Sequence, residues 1–290
     1  AALHRDASGG LTGHTADNRL KLFAAKPAPL QITYMGYCNT TGVRAIDYIL
    51  SDHLIDPAGQ DEFYSEKLLR LPRSICCYTS PDYAPAVKTG AATPGATVTF
   101  GCFNNLTKFN AEVVALWSKI LGAAGDARLV LKCKQLGDDA MRQRVGDMFR
   151  TQGIAAERLD LRGQSAHPDL LAQYNDIDIA LDPLPFAGMT TTCEALWMGV
   201  PVVTLAGGSR AGRVGVSILS AVGLEEFIAE TADAYVEIAA RLAADKARMA
   251  ELKASIRGRM AASDLCDTEA MARAVEDAYR TIWRNWCAGG

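Results

Sequence analysis

Short apolar runs alternate with amphipathic segments along most of the chain after residue 96. The apolar runs predict strands over residues 98–103, 128–132, 158–161, 177–181 and 200–205. The amphipathic segments predict helices over residues 111–121, 138–152, 169–174, 193–198 and 214–222, and the stretch 232–286 has helical spacing almost throughout. Strands that are apolar along their whole length and alternate with helices are typical of a doubly wound parallel α/β sheet.

The first 95 residues show a different pattern. It predicts strands over residues 30–36 and 45–51, a short helix over 65–71, and a linker rich in Pro, Ala, Thr and Gly over 81–95. This arrangement is typical of the later part of a second α/β domain without its first strands. We therefore expect a partial N-terminal Rossmann-like domain with its linker over residues 1–95 and a second Rossmann-like domain over residues 96–268.

Composition excludes several classes of protein. The 290 residues are 49% hydrophobic and 22% charged with a formal net charge of −3, which is ordinary for a globular chain and unlike a nucleic-acid-binding surface. No apolar run approaches the roughly 20 residues that span a bilayer, so we expect no membrane segment. A chain of this size needs no disulfide framework, so the eight cysteines predict reduced thiols and a cytoplasmic location.

Residues 180–204 contain the most informative motif. A predicted strand ends in a loop with Pro and Gly, and Thr190, Thr191 and Thr192 follow it close to a predicted helix that carries Glu194. The first amides of a helix have no partner within the helix, and the helix dipole is positive at that end, so such a start binds phosphate groups. Three successive hydroxyls exceed what a helix cap requires. The motif predicts a diphosphate site, with Glu194 as a ligand for a ribose hydroxyl.

A second polar loop follows the predicted strand 98–103. In it, Lys108 can reach a diphosphate as a point charge and Asn105 can add an amide contact, whereas a solvated lysine on an ordinary loop is the alternative. Ligands of open α/β sheets bind outside the carboxyl ends of the strands. Both polar loops follow strands at that end, so we expect them to face one crevice.

Two histidines are candidates for the same crevice. His14 precedes a helical segment and can act as an acid or base between the domains, although a capping or packing role is an equal alternative. His167 stands just before a predicted helix and can contact the nucleotide or serve only as a helix-entry residue. The four histidines of the chain show no metal-ligand spacing, so we expect no zinc site.

Three further features have two interpretations each. Lys132, near a strand end, can add a second cation to the crevice or remain solvated. The loop 36–42, with Asn39, Thr40 and Thr41, can face a sugar or its acceptor, or form a plain turn. The Asp-x-Asp sequence at 176–178 matches that of metal-dependent glycosyltransferases, but it introduces a strand whose far end faces the crevice, so we expect no metal there.

These motifs together resemble the O-GlcNAc transferase/SPINDLY family of protein O-glycosyltransferases, especially its bacterial and SPINDLY-like branch. The resemblance runs over nearly the whole chain. Its blocks are Gly13-His-Thr-Ala-Asp-Asn-Arg-Leu, Lys26-Pro-Ala-Pro-Leu-Gln, Asn39-Thr-Thr-Gly, Ala45-Ile-Asp-Tyr, Phe103-Asn-Asn-Leu-Thr-Lys, Thr190-Thr-Thr-Cys-Glu-Ala-Leu-Trp-Met-Gly-Val-Pro, Val214-Gly-Val-Ser and Ala278-Tyr-Arg-Thr-Ile-Trp.

The resemblance implies a GT-B fold, in which residues 269–290 form a helix that crosses back to the N-terminal domain. It implies inverting, metal-independent transfer of N-acetylglucosamine from UDP-GlcNAc to Ser or Thr of intracellular proteins, without a cofactor. The alternatives are O-fucose transfer from GDP-fucose, as in SPINDLY, and a non-catalytic module that binds a sugar nucleotide or a protein. A tetratricopeptide-repeat region is expected to precede the chain and to select protein substrates.

The resemblance also assigns roles to individual positions. Lys108 resembles the lysine that steadies the diphosphate, Asn105 its neighbouring amide, Thr190 and Thr191 the phosphate-binding threonines, and Glu194 the ribose acid. One departure concerns the nucleotide base, because Leu170 stands where the family has a histidine and His167 lies one turn earlier. The histidine that the family uses for acid–base work lies on strands missing from this chain, so the base is His14 or is supplied from elsewhere.

Overall fold

The computed structural model describes residues 7–10, 13–15, 17–34, 36–88 and 97–289. These residues form two parallel sheets. The first sheet has the strand order β1-β2-β3-β4 and comprises β1 (Ala7–Gly10), β2 (Leu30–Thr33), β3 (Tyr48–Asp52) and β4 (Lys67–Leu71).

The second sheet has six strands in the order β10-β9-β8-β5-β6-β7. They are β5 (Thr99–Cys102), β6 (Arg128–Lys132), β7 (Leu159–Arg162), β8 (Ile179–Leu181), β9 (Val202–Leu205) and β10 (Ile228–Ala229). From β5, the chain continues through β6 and β7 toward one edge of the sheet, and from β8 it continues through β9 and β10 toward the other edge. The gap between β5 and β8 is therefore the topological switch point, where doubly wound sheets bind ligands.

Helices connect these strands and cover the sheets. They are α1 (Leu20–Ala24), α2 (Ala111–Ala123), α3 (Asp139–Arg150), α4 (His167–Gln173), α5 (Thr190–Trp197), α6 (Val214–Val222), α7 (Ala232–Ala244), α8 (Lys246–Ala261) and α9 (Thr268–Cys287). Polar caps set several helix starts. Asn110 accepts a hydrogen bond from the Val113 amide at 2.8 Å at the start of α2, and Asp267 accepts one from the Ala270 amide at the start of α9.

The second sheet matches the sequence prediction closely, with two differences. Helix α5 begins at Thr190, three residues before the predicted start, so all three threonines belong to its first turn. Strand β10 was missed, because two residues paired to the edge of β9 leave no periodic pattern in the sequence. The stretch 232–286 is helical as predicted and divides into α7, α8 and α9.

The predicted helix over residues 65–71 is wrong. Residues Lys67–Leu71 form β4, which pairs with β3 in five successive positions from Tyr48↔Lys67 to Asp52↔Leu71. A segment of five to seven residues carries a weak intrinsic preference, and pairing with a buried neighbouring strand overrides it. Helix α9 lies against β4, with Met271 and Ile282 buried. The described part of the predicted linker, residues 81–88, has no regular structure.

The core fixes the loop that follows β8. Trp117 and Tyr235 are fully buried, and the Trp117 indole donates to the Tyr235 hydroxyl at 3.1 Å. The Tyr235 hydroxyl in turn donates to the carbonyl of Asp182 at 2.9 Å. The polar ends of two large aromatic side chains are thus satisfied, and the start of the 182–189 loop is held at the switch point.

Candidate active site

A cavity of about 440 Å³ lies between the two sheets beside the switch point. One wall comes from the second sheet, through the loop after β5, the loop after β8, the start of α5 and the segment before α6. The other wall comes from the first sheet and includes Thr15, Gly36, Tyr37, Cys38 and Ile75. The two polar loops singled out in the sequence therefore do face one crevice.

Lys108 lies at the centre of the second-sheet wall. It ends a single 3-10 turn, Leu106–Lys108, and its ammonium donates to Asn104 Oδ1 at 2.9 Å and to the Ala187 carbonyl at 2.8 Å. The same ammonium lies 4.1 Å from the ring centroid of Phe186, within range of a cation–π contact. Burial lowers the pKa of Lys108, and nearby Asp182 opposes that shift. The contacts hold a partly desolvated cation at the cavity surface.

Asn104 was missed by the sequence analysis, which chose its neighbour. Asn104 is buried, and its Oδ1 accepts from both Lys108 Nζ and the Thr191 hydroxyl, the latter at 3.1 Å. Asn105 also lines the cavity, but its side-chain oxygen caps the 3-10 turn by accepting a hydrogen bond from the Thr107 amide at 3.0 Å. The same oxygen accepts a second hydrogen bond from Gln135 Nε2 at 3.0 Å. Two adjacent asparagines at a turn give no sequence signal that would show which one points inward.

The start of α5 forms the next part of this wall. Thr190 and Thr191 line the cavity, whereas Thr192 is buried beneath it. Within the described residues, the N-cap residue Met189 makes no side-chain capping hydrogen bond, and the first amides of any helix have no partner within the helix. Gly188 makes the approach possible, because a Cβ at that position would lie 2.5 Å from Thr191 Oγ1 and 2.7 Å from Thr192 Oγ1. The glycine lets the loop pass directly over the threonine hydroxyls.

Asp182 supports this wall from below. It is buried, and its carboxylate accepts from the Gly188 amide at 2.6 Å and from the Thr204 hydroxyl at 2.8 Å. Burial raises the pKa of Asp182 to about 6, while these two hydrogen bonds and Lys108 oppose the rise. The side chain ties the two ends of the 182–188 loop together, a role that the sequence pattern did not reveal.

Glu194 and His167 are brought together, but outside the cavity lining. His167 Nε2 lies 2.8 Å from Glu194 Oε1, and His167 Nδ1 lies 2.9 Å from the Tyr83 hydroxyl. The carboxyl group of Glu194 is buried, which raises its pKa, and the His167 hydrogen bond lowers it. When Nε2 donates to the carboxylate, Nδ1 can accept a hydrogen bond from the Tyr83 hydroxyl. Tyr83, on the connection between the sheets, was not predicted as a site residue.

His14 and the Asn39–Thr41 loop lie behind the first-sheet wall. His14 Nε2 contacts the Thr41 carbonyl at 2.7 Å, and its ring meets Tyr37 edge-on at 5.2 Å. The hydroxyls of Thr40 and Thr41 both bond the buried carboxylate of Glu66, which also accepts from the Thr41 amide at 2.8 Å. Asn39, Thr40 and Thr41 do not line the cavity, because these contacts turn the two threonines toward β4.

Two other predicted positions have different surroundings. Lys132 is buried at the end of β6, where its ammonium donates to the Gly163 carbonyl at 2.7 Å, and it is not part of the cavity lining. In the Asp-x-Asp sequence, Asp176 pairs with Arg162 at 2.7 Å and Asp178 accepts from the Thr99 amide at 2.9 Å. Among the residues that the structure describes, no group of three or more His, Cys, Asp or Glu side chains could hold a metal ion.

No helix in the described part of the chain is both long and apolar enough to cross a membrane.

Arg210 was also not predicted. It comes from the short 3-10 turn Arg210–Gly212 after β9, lines the cavity, and is only 3% exposed. Its guanidinium crosses to the first sheet, where it pairs with Asp56 at 2.5 Å and donates to the Leu50 carbonyl at 2.7 Å. An arginine in a Gly-rich loop gives no sequence sign of a partner 154 residues away.

Comparison with known proteins finds relatives of this chain. The chain is 46% identical over 281 residues to a rice (Oryza sativa subsp. japonica) protein named probable UDP-N-acetylglucosamine--peptide N-acetylglucosaminyltransferase SPINDLY, and 44% identical to the Petunia hybrida protein of the same name. Each match covers 96% of this chain and 30% of the relative. The chain thus spans about three tenths of the length of these relatives.

Solved structures show the same architecture. A mutant of the Thermobaculum terrenum O-GlcNAc transferase superposes with a TM-score of 0.91 at 41% identity, covering 98% of this chain and 54% of that one. Anabaena HepE in complex with UDP and glucose shares the fold at a TM-score of 0.56 and 12% identity. The expected GT-B fold is confirmed. The model of glycosyl transferase family 41 matches residues 10–80 and 86–275, and the chain therefore belongs to that family.

Proposed function

We propose that this chain is the catalytic part of a glycosyltransferase that moves N-acetylglucosamine from UDP-GlcNAc to Ser or Thr side chains of proteins, with inversion and without a metal. One observation carries the proposal: the ammonium of Lys108, the hydroxyl of Thr191 and the uncapped start of α5 converge on one wall of the interdomain cavity. A cation, a hydroxyl and free amides in one place suit a diphosphate. The names of the relatives and their share of identical residues support the choice of donor.

The proposed reaction is a direct displacement. The Ser or Thr oxygen forms a bond to the anomeric carbon as the bond from that carbon to the diphosphate oxygen breaks, and the nucleoside diphosphate leaves with the electron pair. Negative charge grows on the leaving diphosphate, so groups placed there before reaction stabilise the transition state. Lys108 and the amides at Thr190–Thr192 fill this role, and their charge and dipoles support the metal-independent part of the proposal.

The proton of the acceptor hydroxyl needs a base, and we propose His14. Its Nε2 faces the Thr41 carbonyl, which can only accept a hydrogen bond, so Nδ1 is the ring nitrogen left to take up a proton. The neighbouring Tyr37 and Thr15 both line the cavity. A histidine next to these two residues is close to the proposed acceptor side, where a general base is needed.

The nucleoside part of the donor is proposed to extend from Thr190 toward Glu194. One oxygen of Glu194 is engaged by His167, which leaves Oε2 for a ribose hydroxyl. Leu170 is partly buried and packs on the core, so it offers no polar contact to the base. His167 is 40% exposed and lies next to the same carboxylate, which makes it the nearest candidate for that contact.

Acceptor proteins are proposed to be selected by a preceding tetratricopeptide-repeat region in the complete protein. The short span of this chain relative to its curated relatives supports that arrangement. A cytoplasmic location follows from the same proposal, because the acceptors would be intracellular proteins.

The alternative donor is GDP-fucose, favoured by the Asn-Asn and Thr-Thr-Thr-Cys-Glu sequences that the chain shares with SPINDLY. Titration calorimetry with UDP and GDP side by side separates the two, and the proposal expects UDP to bind more tightly. A transfer assay with labelled UDP-GlcNAc and GDP-fucose on a Ser/Thr peptide, with a chelator present, then tests turnover. Preference for GDP overturns the donor assignment. Tight nucleotide binding without donor hydrolysis or transfer assigns the chain to the non-catalytic class instead.

A further inference from the structure

The segment after β9 connects the two sheets through one buried ion pair. Arg210 is 3% exposed and Asp56, which follows β3, is fully buried. The Arg210 guanidinium contacts Asp56 Oδ2 at 2.5 Å and the Leu50 carbonyl at 2.7 Å. Two separate donors thus fix the orientation of the guanidinium plane against the first sheet.

Asp56 is itself held by groups of its own sheet. The Tyr64 hydroxyl donates to Oδ1 at 2.6 Å, and the Ser51 hydroxyl donates to Oδ2. A buried pair of this kind repays its desolvation only when its geometry is good and its remaining lone pairs are satisfied. The first sheet therefore presents Asp56 to Arg210 as a rigid anchor.

The backbone next to Arg210 is hydrogen-bonded to the second-sheet wall that carries Lys108. The carbonyl of Ala211, the next residue, accepts a hydrogen bond from the Ala187 amide at 2.9 Å. The Ala187 carbonyl then accepts from Lys108 Nζ at 2.8 Å. These backbones are in close contact, since a Cβ on Gly212 would lie 2.9 Å from the Pro185 carbonyl oxygen. Tightly packed backbone passes on a displacement instead of absorbing it.

We infer that the Asp56–Arg210 pair is a positioning device that sets the place of the Lys108 ammonium through Ala211 and Ala187. The inference rests on the proposed function, in which Lys108 meets the diphosphate. Through this pair, nucleotide affinity depends on Asp56, a carboxylate of the opposite sheet. The diphosphate site is then complete only when the two sheets are in contact. Asp56 and Arg210 are positioning residues in this account.

A direct role for Arg210 is the competing explanation, because the residue lines the cavity. The two explanations predict opposite effects of Asp56→Asn. Removal of the carboxylate frees the guanidinium, so a direct electrostatic contact with the diphosphate would leave UDP affinity unchanged or raise it. Loss of the anchor displaces the Arg210–Gly212 turn and Ala187, so a positioning role lowers UDP affinity.

The primary test is calorimetry of UDP and of inorganic pyrophosphate with Asp56→Asn. We expect both ligands to bind about 10-fold more weakly, within the range of coupling between distinct sites. Ser217→Ala is the matched control, since the Ser217 hydroxyl also bonds across the contact between the two sheets, to Asp52 and Ser74, both at 2.7 Å, and these hydrogen bonds do not involve the 185–187 loop. It should change affinity less than about 2-fold, the range expected for sites that share no partner. Equal losses in both variants overturn the inference.

A double-mutant cycle with Lys108→Ala separates this inference from the proposed function. In the Lys108→Ala background, Asp56→Asn should cause no further loss of UDP affinity, because its effect passes through the missing ammonium. Additive losses overturn the inference while leaving the diphosphate assignment in place. Unchanged UDP affinity in Lys108→Ala alone overturns the proposed function.

If Asp56→Asn fails to melt cooperatively, the neutral pair Asp56→Asn with Arg210→Gln replaces it, and near-normal UDP affinity in that double variant contradicts the inference.

Discussion

The two walls of the cavity are built in different ways. On the second-sheet wall, Lys108, Thr190 and Thr191 lie on regular elements that directly follow strands: Lys108 ends a 3-10 turn, and the two threonines begin helix α5. On the first-sheet wall, the segments are irregular and are held by distant partners. His14 bonds residue 41, and the Thr41 hydroxyl and amide bond residue 66.

This difference separates two tasks. The second-sheet wall offers a cation, amides and hydroxyls at fixed positions, which suits an invariant diphosphate. The first-sheet wall includes Tyr37, Cys38 and Ile75, and Glu66 holds the neighbouring Thr40 and Thr41. Loops held on a rigid scaffold are where specificity commonly varies. In the proposed function, the leaving group is therefore stabilised at the second-sheet wall and the acceptor is recognised at the first-sheet wall.

The largest effect is expected from Lys108→Ala. Removal of the ammonium takes away the main positive charge at the leaving diphosphate, and we expect turnover to fall at least ~100-fold, the size of a lost oxyanion contact. The assay is sugar transfer under saturating donor. Lys119→Ala, at an exposed position on α2, is the control and should keep normal turnover. Near-normal activity in Lys108→Ala would contradict the claim that the second-sheet wall stabilises the leaving diphosphate through Lys108.

Gly188→Ala should have the next largest effect. The new methyl group would meet both threonine hydroxyls and also Asp182 Oδ1 at 3.1 Å, so the start of α5 must shift. We expect UDP affinity to fall about 10-fold, since a displacement near 1 Å costs up to ~100-fold at a reacting site. Gly122→Ala on α2 serves as the control, because its added Cβ would lie within 4 Å of no atom in the described part of the chain. Equal UDP affinity in the two variants, measured by calorimetry, contradicts the proposed phosphate role of this helix start.

A smaller effect is expected at His167, which connects the second-sheet wall to Tyr83. His167→Leu leaves Glu194 buried without its donor, whereas His167→Gln can still donate a hydrogen bond from its amide. We expect about 5-fold weaker UDP binding for the leucine variant, the value of one lost hydrogen bond of about 1 kcal/mol. The glutamine variant should recover most of the affinity, and pyrophosphate should bind both equally. A loss of pyrophosphate affinity would show that His167 acts on the diphosphate instead.

The smallest effect concerns pH and Asp182. Burial raises the pKa of Asp182 to about 6, against about 3.9 in an unfolded chain. Because the folded state holds this proton more tightly, the contribution of Asp182 to stability is full below pH ~4 and is lost as pH rises through about 6. Thermal melts between pH 4 and 7 should show this decline in the parent chain. The Asp182→Asn variant keeps an acceptor for the Gly188 amide, and its stability should not show this decline. The same slope in both proteins would assign the decline to other groups.

The sequence predicted the second-sheet wall well because its signals are local. A buried strand, a polar loop and a helix start each leave a pattern within ten residues, and the loops carrying Lys108 and Thr190 meet because parallel strands end at one edge of the sheet. Placement that depends on distant partners leaves no such local pattern. Residues 67–71 form a strand only because β3 pairs with them, and Thr40 and Thr41 turn away from the cavity because Glu66 binds them.

The side chains missed by the sequence analysis have the same explanation. Asn104 and Asn105 differ only in which one the turn directs inward, and Arg210 gains its role from Asp56 in the other sheet. Tyr83 meets His167 across 84 residues. Pairing over such separations leaves no periodicity in a single sequence, so these contacts emerge only from the folded chain.

The most direct test of the central claim is a structure of this chain with UDP bound. We predict that the diphosphate lies within hydrogen-bond distance of Lys108 Nζ, the Thr191 hydroxyl and the first amides of α5, with the ribose next to Glu194. A diphosphate bound at Lys132, or against the first-sheet wall beside His14, would contradict it.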